Sequence, residues 1–130
     1  MKLIDLNLLD SLTEQAQSNP RLRMNYNLHE VLESKAQRLL NALEPGTILP
    51  IHRHTDTSET YILLRGSLRV LYYNDAHELT QSEVLSLQKD TFGVHIPAGQ
   101  FHSIDVLESG TVIFEVKIGP YTPIAAQDIL

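Results

Sequence analysis

The sequence predicts an all-β fold, an antiparallel sandwich or barrel, with one short N-terminal helix. Two observations predict it. From Thr47 onward, short stretches rich in Val, Ile, Leu, Tyr and Thr recur with turn residues between them. Such closely spaced strands argue for antiparallel pairing and against a parallel α/β sheet. Near the N-terminus, helical apolar spacing identifies one clear helix.

That helix is Asp5 to Gln17. Leu6, Leu9, Leu12 and Ala16 recur at helical spacing, Asp5 is placed as an N-cap, and Ser18-Asn19-Pro20 stops the helix. Arg21 to His29 alternates instead. Leu22, Met24, Tyr26 and Leu28 fall on one face; Arg23, Asn25, Asn27 and His29 fall on the other. This is a strand-like arm whose polar stripe either lines a pocket wall or faces solvent. Gln37–Leu43 reads as the strand that enters the core, and Glu44-Pro45-Gly46 turns the chain. The expected strands that follow are Thr47–His54, Thr60–Leu64, Leu68–Tyr73, Val84–Leu87, Gly93–Ile96, His102–Leu107 and Thr111–Ile118. The segment from Gly119 carries two prolines and is expected to be irregular, packing on the domain or on a second subunit. One domain is expected: arm 1–36, β-barrel 37–118 and tail 119–130.

Composition narrows the function. The chain has 130 residues, 42% apolar, with a net charge of −6 and no cysteine. No apolar run approaches the ~18 residues of a membrane span. Acidic residues interrupt the first ten positions, unlike a signal peptide. Basic residues are scattered, so the electrostatic footprint of a nucleic-acid binder is missing. A cytoplasmic protein with a small-molecule ligand is expected. The apolar arm and tail suggest a homodimer.

The chemistry concentrates between Gly46 and Gly66. Two residues apart in a strand point to one face, so His52 and His54 project together and Arg53 projects away. Glu59 follows shortly after, and His102 comes later within IPAGQFH. Imidazoles and a carboxylate converging on one point suit a divalent transition metal: Mn, Fe, Co, Ni or Zn. With no thiolate available, His52, His54, Glu59 and His102 are the candidate ligands. Glu59 has a second possible role, orienting a histidine ring.

These residues resemble the cupin motifs. The first, G-x5-H-x-H-x3,4-E-x6-G, is matched at Gly46, His52, His54, Glu59 and Gly66. The second, G-x5-P-x-G-x2-H-x3-N, is matched at Pro97, Gly99 and His102, with Thr91 and Val106 at its ends. The resemblance implies a cupin-type jelly roll holding one metal. The arm RMNYNLH, with QRLLNALEPGT and HRH after it, further resembles the WbuC family of cupin-fold metalloproteins. That likeness implies a place in O-antigen or other surface-polysaccharide biosynthesis, and it favours a pocket-facing stripe of Arg23, Asn25 and Asn27.

Other polar residues have weaker claims. Tyr61 shares the parity of Glu59 and is a candidate proton donor, or simply a satisfied core tyrosine. Arg38 is a candidate partner for a substrate carboxylate or phosphate, or a surface ion-pair residue. His95 is expected to face away from the ligands. Three readings of function stay open. One is a metal-dependent protein acting on or binding a sugar-like molecule. Another is a metal-independent sugar-nucleotide isomerase or epimerase using His and Tyr. The third is a non-enzymatic sensor. An Fe(II) dioxygenase is a fourth option.

Overall fold

The computed structural model describes residues 1–130. Leu6–Ser18 forms helix α1. Asp5 caps it, its side chain accepting from the Leu8 N–H at 3.0 Å, which satisfies one of the free donors of the first turn. Leu9, Leu12 and Ala16 are the buried apolar side of α1.

Eight strands follow: β1 (Arg23–Asn27), β2 (Ala36–Leu43), β3 (Glu59–Arg65), β4 (Ser67–Tyr73), β5 (Leu79–Ser86), β6 (Gly93–Ile96), β7 (Phe101–Val106) and β8 (Thr111–Ile118). They form a five-stranded sheet, β1-β2-β8-β3-β6, and a three-stranded sheet, β5-β4-β7. Every pairing is antiparallel. The main core combines both sheets. Leu43, Tyr61, Leu63, Ile96 and Ile113 come from the larger, and Leu68, Val70, Leu85, Ile104 and Val106 from the smaller. A second cluster joins α1 to Leu40, Ala42 and Val112 on the alternate positions of β2 and β8. Alternation along β2 thus feeds both layers. Gly66 makes the turn from β3 to β4 at φ +83°, where a Cβ would lie 2.7 Å from the Thr111 Cα. No larger residue fits there without backbone movement.

The expected all-β class holds, and of sandwich and closed barrel the two antiparallel sheets form the sandwich. Expectations for individual segments are corrected. The stretch Thr47–His54 is not a strand. Only His52 makes bridges, to His102 on one side and Ile129 on the other, and Pro50 has no N–H to give a ladder. β5 begins at Leu79, not Val84. Its added residues are exposed and mostly polar, so they lack an apolar signal and are ordered by backbone pairing with β4. The end of the tail packs on its own chain: the Leu130 N–H donates to the Ile51 carbonyl at 2.8 Å.

Candidate metal centre

Strand register places the site. Gln37, Lys117, Glu59 and Ile96 are directly opposed across β2, β8, β3 and β6. Leu39, Glu115, Tyr61 and Val94 form the neighbouring row on the same face. Glu59 and Tyr61 are therefore directed between the sheets, where both are buried. His102 comes from β7 on the opposing sheet. His52 bridges to it, with the backbone N–H of each donating to the carbonyl of the other at 3.0 and 2.8 Å.

Two local contacts fix the imidazoles. His52 Nδ1 lies 2.9 Å from the Pro50 carbonyl, and His102 Nδ1 lies 2.9 Å from the Gln100 carbonyl. A carbonyl can only accept, so both Nδ1 atoms carry a proton and Nε2 is the ring atom left to face the site. One ligand atom each from His52, Glu59 and His102 lies within 4.8 Å of the others, and this group could hold a metal ion. His102 Nε2 is buried and makes no hydrogen bond, although Glu59 Oε2 is 3.5 Å away. A buried ring nitrogen facing a carboxylate without a hydrogen bond is costly unless a positive charge, a proton or a metal ion, lies between them. The donor set and the orphaned nitrogen both fit a divalent metal.

His54 stands beside this group. Its Nε2 is 2.5 Å from Glu59 Oε1, and its ring is at 89° to that of His52. Tyr61 donates its hydroxyl proton to Glu59 Oε2 at 2.5 Å. Lys117 Nζ is 3.9 Å from Glu59 Oε1. Burial works to raise the Glu59 pKa, but contacts with His102, His54 and Tyr61 outweigh it, so the carboxylate stays ionised well below the ordinary range. Burial first, and then the charge of His102, push His52 down to about 4. It is neutral at pH 7, as a ligand must be. Burial raises the Tyr61 pKa well above its ordinary value. Tyr61 therefore keeps its proton and holds the carboxylate in place.

The other sequence candidates lie elsewhere. Arg38 is one residue out of phase with Gln37 and exposed on the opposite face from Glu59. It does not join the site. Arg23 donates to the Ile48 carbonyl at 2.9 Å, tying the arm to the segment that leads into His52. Asn25 and Asn27 pair with Asn41 and Leu39, on the same sheet face as Glu59. They are exposed at the sheet edge, with β2 and β8 between them and β3. At ~4.8 Å per strand that is roughly 14 Å. His95 faces outward, its Nδ1 2.9 Å from Thr60 Oγ1.

Sequence reasoning missed three residues around the site. Lys117 and Glu115 alternate inward along β8, a parity readable once that strand was assigned. Asn41 donates to Glu115 at 3.1 Å. Burial raises the Glu115 pKa, and the neighbouring Glu59 charge adds to it. A groove of about 180 Å³ opens beside His54, lined by Arg53–Thr57, Thr122–Ala125 and Asp128.

Residues 4–85 match the model of a family described as a domain of unknown function, DUF6016. Comparison with curated proteins gives no match. Solved structures share the fold at low identity. KdgF from Halomonas sp. is 12% identical over 80% of this chain and 83% of its own, at TM-score 0.61. The Schizosaccharomyces pombe Cnp3 cupin domain is 11% identical over 74% of this chain and 64% of its own, at TM-score 0.59. The capsular polysaccharide assembling protein CapF from Staphylococcus aureus is 19% identical over 75% of this chain, at TM-score 0.60. This chain spans only 26% of CapF.

Proposed function

The chain belongs to the DUF6016 family, and on its cupin fold we propose that it is a metalloprotein acting on or binding a small sugar-like molecule. His52, Glu59 and His102 would hold one divalent transition metal, with His54 adjoining them. The observation that carries this reading is the buried, orphaned Nε2 of His102 beside an ionised Glu59 and a neutral His52. A metal bound there would supply Lewis-acid polarisation of a ligand oxygen. The protein's own residues do the rest. The Pro50 and Gln100 carbonyls hold the two imidazoles in the right tautomer. Tyr61 and Lys117 hold the Glu59 carboxylate. The groove beside His54 offers Thr55, Thr57 and Thr122 to a hydroxylated ligand. A role in surface-polysaccharide biosynthesis is supported by the WbuC-like arm and by the fold shared with CapF.

The test is elemental analysis of untagged protein beside His102→Ala, each with metal add-back. Near-stoichiometric metal in the wild type and its loss in the variant are expected. Bound metal should also raise the thermal midpoint, by the equivalent of about 2.7 kcal/mol at a hundredfold excess over Kd. No metal in either protein would end this reading. The hydrogen-bonded chain His54–Glu59–Tyr61 favours a second one, metal-independent acid–base chemistry on a nucleotide-linked keto sugar. Turnover that survives chelation would select it.

A further inference from the structure

Two of the candidate ligands, His52 and His54, lie on a segment with almost no strand pairing of its own. Something else must hold it, because a metal site needs its ligands within a few tenths of an ångström. The C-terminal residues run along this segment. Ile129 bridges to His52. The Leu130 N–H donates to the Ile51 carbonyl at 2.8 Å, and the Arg53 N–H donates to the Asp128 carbonyl at 2.9 Å. Asp128 does more than pair its backbone. Its Oδ1 accepts from Arg53 Nε at 2.8 Å and its Oδ2 from Thr55 Oγ1 at 3.0 Å. Arg53 and Thr55 flank His54 in the chain, so one carboxylate grips the segment on both sides of that residue. Phe101, next to His102, packs under the Arg53 guanidinium at 4.5 Å.

We propose that Asp128 is the positioning residue of this centre, setting through Arg53 and Thr55 how His52 is presented to the ion and how His54 is held against Glu59. The inference rests on the metal reading above. It assigns to the C-terminal residues a part in metal affinity, and makes them one wall of the ligand groove. Groups bonded directly to metal ligands typically govern affinity by about 10–100-fold; Asp128 acts one residue further out, through Arg53 and Thr55, so the lower end of that range applies.

The experiment titrates Co²⁺ into metal-free wild type, Asp128→Asn, Asp128→Ala, Thr55→Val and Thr55→Ser, reading Kd and the visible d–d spectrum. Asp105→Asn, which loses only an exposed contact with Arg69 on the neighbouring strand β4, is the control. Circular dichroism confirms that each metal-free variant is folded. Both Asp128 variants are expected to bind roughly 10-fold more weakly with an altered spectrum, the lower end of what partners bonded directly to ligands give. Thr55→Val should follow in part, and Thr55→Ser, which keeps the hydroxyl, should restore wild-type behaviour. A merely structural role for Asp128 would lower the thermal midpoint but leave Kd and spectrum unchanged, and that result overturns the proposal. Wild type that takes up no Co²⁺ would instead sink the metal reading, and this inference with it.

Discussion

Glu44, buried just past the end of β2, accepts three hydrogen bonds from distant parts of the chain. They come from Gln17 at 3.0 Å, Ser109 at 2.5 Å and the Gly110 N–H at 2.6 Å. Burial alone would raise its pKa. The bonds from Ser109, Gly110 and Gln17 and the charge of Arg65 outweigh that and lower it below the ordinary 4.5. The unfolded chain therefore binds protons first on acidification. The stabilisation is complete above about pH 4.5 and is lost as pH falls below it. Glu44→Gln should cost about 1–3 kcal/mol at pH 7, and the gap in urea midpoints should close towards pH 3. A gap independent of pH would mean that the charge is irrelevant. Nothing in Glu44-Pro45-Gly46 announces this role, since a carboxylate before a turn is ordinarily solvated. Its donors lie 27, 65 and 66 residues away. The inward parity of Glu59 and Tyr61, by contrast, follows from their spacing, because the strand period is two.

At the scale of elements, α1 lies outside the larger sheet and away from the candidate centre. Leu12 is 2% exposed and packs within the cluster of Leu40, Ala42 and Val112. Arg65 at the end of β3 ties the helix down, donating to Asp10 at 2.6 Å, Thr13 at 2.8 Å and the Gly110 carbonyl at 2.7 Å. Leu12→Ala should cost about 2–5 kcal/mol in urea unfolding while leaving metal affinity unchanged. Weaker metal binding by the folded variant would show that the helix and the site are coupled. The helix and most strands were legible because their apolar periods are strong. The start of β5 was not, because an exposed edge strand carries polar residues on both faces. The Thr47–His54 segment misled because its alternation is genuine but its partners are single residues of β7 and the tail.

For the whole molecule, the sandwich brings His102 from the smaller sheet and Glu59 from the larger to His52 on a segment that bridges to β7. We propose that the chain is a homodimer through the β1 side. β1 is the edge of its sheet, and Leu3, Ile4, Leu6, Val31, Leu32 and Tyr121 are exposed. A solution mass twice the chain's 14.7 kDa is expected, and a monomeric mass would refute this. The β-rich class, the helix with its cap, the turn glycines and the four donors at cupin spacing were readable along the chain. Each of these depends on a local period, a local backbone conformation or a fixed interval along the chain. Which donors meet, that His54 lies on Glu59, that Arg38 faces away, and that Asp128 holds the candidate-ligand segment from 75 residues away came from folding. Those outcomes depend on sheet order and long-range register, and no local pattern encodes them.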